Sequence, residues 1–500
     1  MPKPHWSKVS LPRSPKLTRD LTVDVAIIGG GITGLTAAYL AGKAGLTSVV
    51  LERDRCGQGD TCCTTAHVTY VTDTWLSELA KTFGKDHARG AWESGQAAIN
   101  QLESIINDQS IECNYRTVPA YLHGRWQDGD DAENEQLHRE VHLAGELGFP
   151  ATFVPQVPMI GRPGMRIADQ ARFHPLMYLR GVIQKLPDLH CQVFEHSEAT
   201  GFQDEPLAVI ANGKTVYFKN IFIATHVPLM GLTGTTKAAL FQSKLTSYSS
   251  YAIGARLPHG TIGDALYRDN SDPYYYLRLD ARPRHDYVIF GGADHKTGQH
   301  DDPSTCHAHL EKLLGEILPD ARVLDRWSGQ VVETFDGLPL IGEIAPNQFI
   351  ATGFAGNGMT FGVLSAMMAI DHFTGAKNPW SRLYDVGRKK LSSVWDYLTE
   401  NLDYPYYYLK DKLGKAEGKS LRAVKRGEGR ILSLDGRRVA VYRDNDNKVT
   451  QLSPACTHMG CVVRWNNAES TWDCPCHGSR FGATGEVIAG PAEKPLEMAE

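Results

Sequence analysis

The chain has 500 residues, of which 42% are hydrophobic and 22% are charged, a composition typical of globular proteins with several domains. Its formal charge of −5 at pH 7 argues against a nucleic acid or an anionic membrane surface as the main partner. No apolar run approaches the roughly 18 residues of a membrane span, and the opening residues lack the apolar core of a signal peptide. We therefore expect a cytoplasmic protein without a membrane span.

The N-terminal region predicts an arm followed by a β-α-β unit. Residues 1–20 are rich in Pro and Lys and predict an extended arm. Residues 23–28 form a short β-branched, apolar run that is typical of a buried parallel strand. A helical stretch, 35–45, and a second strand, 48–51, complete a unit of the size expected for a nucleotide-binding crossover.

Three glycines join the first strand to the helix in the spacing Gly29-x-Gly31-x-x-Gly34. The first allows a tight turn, the second lets the backbone approach a pyrophosphate, and the third lets the helix pack on the strand. Glu52 ends the second strand, where a carboxylate can accept hydrogen bonds from a ribose, and Arg53 follows it. The pattern predicts a dinucleotide site, and the alternative is a tight turn without a ligand.

The middle of the chain alternates helical and strand-like stretches. Residues 75–108 and 131–147 predict helices, and 246–293 predicts several strands of a mostly antiparallel sheet. Buried strands are predicted at 221–226 and 349–352. The predicted fold class is α/β (α+β): a Rossmann-type domain with an inserted antiparallel sheet, followed by a small all-β domain.

Two further segments resemble the FAD-dependent oxidoreductases of the D-amino-acid oxidase type. One is the Gly- and Thr-rich loop at 57–67, and the other is a Gly-rich turn that opens an apolar helix over 359–373. The resemblance covers about residues 20–400 and implies FAD, with the loop over the phosphates and the turn at the pyrimidine end of the flavin. Since no second glycine motif for NAD(P)H follows, an organic electron donor is expected. The cofactor-binding residues that the resemblance implies here are Gly59, Thr64, Thr65, Gly353, Gly356, Gly358, Met359 and Thr360.

Covalent attachment of the flavin through Cys or His occurs in parts of this family. Cys62, Cys63 and His67 lie in the phosphate-side loop. Covalent and non-covalent FAD are both open at this point.

Four of the ten cysteines crowd between 456 and 476, with two histidines beside them. Outside a disulfide framework such a cluster indicates metal binding. The pattern Cys-x-His…Cys-x-x-His resembles the Rieske [2Fe–2S] domain, in which two thiolates hold one iron and two imidazoles hold the other. The ligands that this resemblance implies are Cys456, His458, Cys474 and His477.

The Rieske resemblance leaves Cys461 and Cys476, one per loop, to join the loops by a disulfide. A structural zinc site is the alternative, but it does not explain these two cysteines. Rieske proteins of high potential commonly carry a Tyr where this chain has Phe481, so we expect a lower potential here. Ser479 is placed to donate a hydrogen bond to the cluster.

Composition, strand pattern and these resemblances together predict an N-terminal arm at 1–20, an FAD-dependent oxidoreductase domain at 21–400 with a substrate-domain sheet at roughly 246–325, a linker at 401–420 and a Rieske domain at 421–500. The expected activity is dehydrogenation of an amine or amino acid at a C–N bond by hydride transfer to FAD. Single electrons then pass to the cluster and to an unknown external acceptor.

The substrate residues are sought in the inserted sheet. In the run at 274–278, alternation places Tyr274, Tyr276 and Arg278 on one face, where Arg278 could clamp a substrate carboxylate. A structural ion pair is the alternative for Arg278. His295 follows the next strand and is a further candidate for substrate contact, with a turn residue as its alternative.

Three other functions stay open. An O₂-using amine oxidase with an accessory cluster would form peroxide rapidly, although the strand at 287–290 offers no lysine for reaction with O₂. A non-catalytic redox sensor or electron-transfer protein would have a flavin that no small substrate reduces. A Rieske oxygenase needs a mononuclear iron triad, and no convincing triad is found.

Overall fold

The computed structural model describes residues 4–126, 131–227, 244–388 and 417–499. Most of the predicted linker at 401–420 lies outside the described residues. The helices are α1 (Ile32–Lys43), α2 (Asp60–Cys63), α3 (Leu76–Phe83), α4 (Lys85–Asp108), α5 (Asp131–Glu146), α6 (Pro175–Lys185), α7 (Ser304–Ile317) and α8 (Gly358–Thr374).

The strands of the larger part of the chain are β1 (Leu21–Ile28), β2 (Ser48–Leu51), β3 (His67–Val68), β4 (Arg116–His123), β5 (Ala151–Val154), β6 (Gly164–Arg172), β7 (Cys191–Phe194), β8 (Ala199–Asp204), β9 (Leu207–Ala211), β10 (Lys214–Ile223), β11 (Leu245–Pro258), β12 (Leu266–Asp269), β13 (Tyr276–Asp280), β14 (His285–Lys296), β15 (Arg322–Thr334), β16 (Leu340–Ala345) and β17 (Gln348–Thr352). The C-terminal strands are β18 (Glu428–Leu434), β19 (Arg437–Arg443), β20 (Val449–Leu452), β21 (Arg464–Asn466), β22 (Thr471–Asp473), β23 (Arg480–Gly482) and β24 (Val487–Ala489).

The first large sheet has eight strands in the described part of the chain, in the order β16-β17-β10-β1-β2-β7, with the β8–β9 hairpin beside β10. The strands from β17 to β7 are parallel, and β16 is an antiparallel edge. All residues of β1 from Val25 to Ile28 are buried, as expected for a parallel strand covered on both faces. The Rossmann-type α/β fold is therefore confirmed.

The second large sheet has nine strands among the described residues, in the order β15-β11-β14-β13-β12-β4-β6-β3, with β5 beside β6. Its neighbouring strands are antiparallel except for the β12–β4 pair. One face packs against α7, where Tyr251 and Ile253 of β11 are buried. This confirms the inserted antiparallel sheet, and it adds β3 to β6, which the sequence did not place there.

The C-terminal strands form two small antiparallel sheets, β18-β19-β20 and β21-β22-β23-β24, within the described residues. Trp472 and Phe481 are fully buried and pack with Cys456 and Cys474 in one core. The predicted all-β domain is confirmed, and its core surrounds two of the predicted cluster ligands.

The N-terminal arm is not extended throughout. His5–Lys8 form a 3₁₀ turn, and Trp6 is completely buried. The Trp6 indole donates a hydrogen bond to the carbonyl of Thr64 at 2.5 Å. The arm therefore packs against the loop that is predicted to lie over the flavin.

No helix in the described ranges combines the length and the apolar character that a bilayer span would need.

Candidate active site

A cavity of about 880 Å³ is lined by residues from both large sheets. This volume lies near the upper end of the roughly 300–1,000 Å³ typical of small-molecule sites, as a large cofactor requires. The predicted cofactor-binding residues that line it are Gly29, Gly31, Glu52, Arg53, Gly59, Thr64, Thr65, Gly356, Gly358 and Met359.

The glycine-rich turn has the geometry that a pyrophosphate needs. Gly29 has a φ of +109°, and a Cβ there would lie 2.5 Å from the Ala224 carbonyl oxygen. A Cβ on Gly34 would lie 2.0 Å from the carbonyl oxygen of Gly29, so helix α1 packs directly on the turn. Gly31 immediately precedes α1. The chain therefore presents a side-chain-free surface and a helix N-terminus to the cavity, which fits a dinucleotide.

Glu52 closes the same end of the cavity. Its carboxylate accepts hydrogen bonds from the backbone amides of Gly30 at 2.7 Å and Asp54 at 2.8 Å. Burial raises the pKa of Glu52 above its usual range. The guanidinium of Arg53 beside it donates to the carbonyl of Ile488 at 3.2 Å. Since Ile488 lies on β24, the C-terminal domain reaches the nucleotide end of the cavity.

Three predicted cofactor residues stand behind the cavity wall. Gly34 packs α1 on the turn, as described above. Gly353 has a φ of +74°, and a Cβ there would lie 2.4 Å from the Thr334 methyl carbon. The Thr360 hydroxyl donates to the Thr69 carbonyl at 2.8 Å. These residues shape the site without lining it.

Two of the candidates for covalent attachment, Cys63 and His67, line the cavity. Burial raises the pKa of the Cys63 thiol, and burial with the nearby Arg278 charge lowers the pKa of His67 to about 3. Both side chains are therefore neutral at pH 7, and a neutral thiol is a poor nucleophile.

Tyr276 lines the cavity, as its predicted role requires. Its hydroxyl lies 3.0 Å from the Ser250 hydroxyl oxygen, and its ring meets His67 edge-on with 5.4 Å between centroids. Tyr274 lines the same wall. Alternation along the chain thus identified the correct face for both tyrosines.

Arg278 lies on that face but does not reach the cavity. Its guanidinium is completely buried and donates to the carbonyls of Ala66 at 2.7 Å, Thr65 at 3.2 Å and Phe173 at 3.2 Å, and it pairs with Asp280. The predicted carboxylate clamp is therefore wrong, because the loop at 64–67 covers this arginine. Its role is to hold that loop.

His295 also lies away from the cavity. Its Nε2 is 3.2 Å from the Tyr251 hydroxyl, and its ring lies 4.7 Å from that of His300 between centroids, on the side facing α7. With Cys306 these two histidines form a small group whose possible ligand atoms lie within 4.8 Å of one another. The prediction of substrate contact by His295 is wrong: the preceding residue, Asp294, lines the cavity instead.

The two C-terminal loops bring the predicted cluster ligands together. The rings of His458 and His477 lie 4.9 Å apart between centroids, and the thiols of Cys456 and Cys474 are in direct contact. Burial lowers the pKa of both imidazoles to about 4, so each is in the neutral form that binds iron.

The two remaining cysteines of these loops, Cys461 and Cys476, form a disulfide, as the resemblance implies. The Ser479 hydroxyl contacts Cys456 and accepts a hydrogen bond from the Ala492 amide at 3.1 Å. Two thiols, two neutral imidazoles and a separate disulfide fit a Rieske cluster better than a zinc ion.

The loop with the second ligand pair packs on the nine-stranded sheet. The Gln330 side-chain amide donates to the Gly478 carbonyl at 2.7 Å, and Gln299 donates to the Pro475 carbonyl at 3.0 Å. Gln330 also lines the cavity. One side chain thus joins the cavity wall to the residue after His477. No local sequence pattern indicates this contact, because it forms between distant parts of the chain.

The cavity and the paired loops define a flavoprotein that also carries an iron–sulfur centre. The model of the family described as FAD dependent oxidoreductase (DAO) matches residues 24–372, and the Rieske [2Fe-2S] domain model matches residues 418–500. The chain belongs to the DAO family of FAD-dependent oxidoreductases and carries a C-terminal Rieske domain. Its cofactors are FAD and a [2Fe–2S] cluster.

The alignment with one similar protein spans both parts of the chain. The Rieske 2Fe-2S iron-sulfur protein YhfW of Bacillus subtilis is 30% identical over 506 aligned positions, which cover 99% of this chain and 97% of YhfW. Glycine oxidase from Geobacillus kaustophilus superposes with a TM-score of 0.61 at 16% identity, covering 74% of this chain and 99% of that enzyme. L-proline dehydrogenase from P. horikoshii superposes with a TM-score of 0.58 at 18% identity, covering 77% of this chain and 99% of that enzyme. These two likenesses describe the fold.

Proposed function

We propose that this oxidoreductase is a dehydrogenase that oxidises the C–N bond of an amine or amino acid, and that its electrons leave through the Rieske cluster to an external acceptor. FAD supplies a two-electron acceptor for hydride, and the cluster supplies a one-electron carrier. The family relationship supports the oxidoreductase chemistry. Glycine oxidase and L-proline dehydrogenase, whose names specify amino acids, support the substrate class.

The contact of Gln330 with Gly478 is the observation that carries the proposal. It places the cluster-binding loop against the wall of the FAD cavity. Further contacts hold the domains in this arrangement: Asn467 donates to Asp302 at 3.1 Å, and Ser328 donates to Glu469. An oxidase that delivers electrons directly to O₂ has no need of such a docked cluster.

The residues of the chain contribute positioning and exclusion of water. The turn at Gly29–Gly34 and Glu52 would hold the dinucleotide. Strand β24 of the C-terminal domain lines the nucleotide end of the cavity. Tyr274 and Tyr276 form an aromatic wall on the nine-stranded sheet, where a substrate can be oriented.

The test is an anaerobic mixing experiment on the holoprotein. Amino acids, N-methyl amino acids and simple amines are added one at a time, and flavin absorbance and the Rieske EPR signal are followed together. We expect one class of compound to bleach the flavin and then to produce the EPR signal.

Two results would contradict the proposal. If dithionite reduces both centres and no amine or amino acid reduces either, the protein is an electron-transfer protein or sensor. A second experiment admits O₂ to the mixture. If a substrate reduces the flavin and the reduced flavin then forms peroxide faster than it reduces the cluster, the protein is an oxidase.

A further inference from the structure

We propose that Asp294 binds the nitrogen of a cationic amine, so that the substrate of the proposed dehydrogenase carries a positive charge at its reacting end. This inference rests on the proposed function and names the substrate class of its site. It also assigns Asp294 the role of proton acceptor for that nitrogen.

A β-bulge turns Asp294 towards the cavity. Gly292 of β14 lies opposite Tyr251 of β11, on the face that packs against α7. Three residues further along β14, His295 lies opposite Ser249, which is only two residues from Tyr251. One extra residue is therefore accommodated in β14, and the side chains beyond it change face. This shift directs Asp294 into the cavity and His295 away from it.

The backbone around the bulge is specialised for this placement. Ala293 has a φ of +57°, a conformation that costs energy for a residue with a side chain. A Cβ on Gly291 would lie 2.4 Å from the ring of Tyr276. The strand thus gives room to the aromatic wall and keeps a strained residue directly before Asp294. Such strain is concentrated at functional sites.

The charges on this wall leave Asp294 uncompensated. Arg268 pairs with Asp73 at 3.0 Å, donates to the Thr72 carbonyl at 3.2 Å and lies 4.5 Å above the Tyr274 ring. Its charge is therefore neutralised by Asp73. Within the described part of the chain, Oδ1 of Asp294 is buried and accepts no hydrogen bond. A carboxylate with an open acceptor beside aromatic rings suits an ammonium group.

Burial raises the pKa of Asp294 to about 7, with the Asp73 charge adding to the effect and the Ser250 hydroxyl opposing it. The other titratable groups facing Asp294 are Tyr274, Tyr275, Tyr276 and Cys306, all of whose pKa values burial raises, so they are neutral at pH 7. Free Asp294 therefore holds a proton below pH 7 and an ammonium ion favours its ionised form. In the bound pair, the ammonium can return one N–H proton to the carboxylate, which leaves a neutral amine and a neutral acid.

Calorimetric titration of the holoprotein with butylamine tests this assignment, with butanoate as the probe of opposite charge. Titrations at pH 6 in buffers of different ionisation enthalpy report the protons released. We expect butylamine to bind about ten- to a hundredfold more tightly than butanoate, as a charge-assisted hydrogen bond allows. We expect proton release at pH 6 and little at pH 8. Asp294→Asn should lose both the preference and the release.

Two further variants make the test decisive. Glu198→Gln removes a carboxylate that lines the same cavity from the loop before β8 and should keep both effects. Ser250→Ala keeps the Asp294 carboxylate and should move proton release to higher pH, which preserves the test if Asp294→Asn does not fold. Equal binding of butanoate, or unchanged proton release in Asp294→Asn, would overturn the inference. If butylamine binds through Asp294 but no amine reduces the flavin, the amine-binding site at Asp294 stands and the proposed dehydrogenase activity falls.

Discussion

The side-chain amide of Gln330 donates a hydrogen bond to the backbone carbonyl of Gly478, 2.7 Å away. Gln330 lines the FAD cavity, and Gly478 directly follows the cluster ligand candidate His477. This single contact connects the two redox sites through one side chain and one peptide.

Replacing Gln330 by Leu should slow electron transfer between flavin and cluster several-fold, because it removes the hydrogen-bonded contact between the two sites. Flash photolysis of the holoprotein measures this rate. Gln299→Leu is the matched control, since it removes a similar bond to Pro475 away from the cavity. Each bond is worth about 1 kcal/mol of docking free energy. Equal slowing in both variants would mean that Gln330 only helps to hold the cluster-binding loop on the sheet and has no role of its own in electron transfer.

Removal of the disulfide by Cys461→Ala with Cys476→Ala should destabilise the cluster-binding domain. The bond spans a sequence separation of 15 residues, and a loop of that size is worth about 3 kcal/mol in the free energy of unfolding. The midpoint of cluster loss in guanidinium, followed by visible circular dichroism, should fall. Cys113→Ala, at a buried free cysteine outside this domain, should leave that midpoint unchanged. An unchanged midpoint in the double variant would contradict the prediction.

Phe481→Tyr should raise the reduction potential of the cluster. Phe481 is fully buried in the core that contains Cys456 and Cys474, and a hydroxyl there can donate to a ligand sulfur. A hydrogen bond of about 1 kcal/mol corresponds to roughly 40 mV for a one-electron couple. Redox titration followed by EPR measures the shift. A wild-type potential at the top of the Rieske range, or a lower potential in the variant, would refute this account.

Arg278→Met should unfold the protein at lower temperature without acting selectively on substrate binding. The change leaves Asp280 with Arg172 as its remaining buried partner, at 3.2 Å, and leaves carbonyls in the 64–67 loop without a donor. Breaking a buried pair costs about 3 kcal/mol or more. Differential scanning calorimetry measures the loss, and Arg278→Lys should recover part of it. Weakened substrate binding at an unchanged Tm would restore the clamp hypothesis.

The parts of the site that depend on short-range sequence were predictable. Gly29, Gly31 and Glu52 are fixed by one β-α-β unit, whose strand and helix patterns are visible in the sequence. The cluster ligands are likewise set by two short loops, because the spacing of Cys and His limits which side chains can meet. The alternation that placed Tyr276 on the cavity face is also a local property.

The remaining parts depend on contacts over long distances. Alternation identified the face of Arg278, but it could not show that the 64–67 loop and Trp6 cover this residue. The bulge at Ala293 exchanges the faces of Asp294 and His295, and strict alternation along the strand cannot predict it. The reach of β24 into the nucleotide end of the cavity is a docking contact, which no periodicity records.

The most direct test of the account is anaerobic flash photoreduction of the holoprotein, with flavin absorbance and cluster signal recorded at several protein concentrations. If the cluster is a docked internal acceptor, it is reduced as the flavin is reoxidised, with a first-order rate that does not change with protein concentration. A rate that rises in proportion to protein concentration would show that electrons pass between molecules, and the proposed internal relay would be wrong.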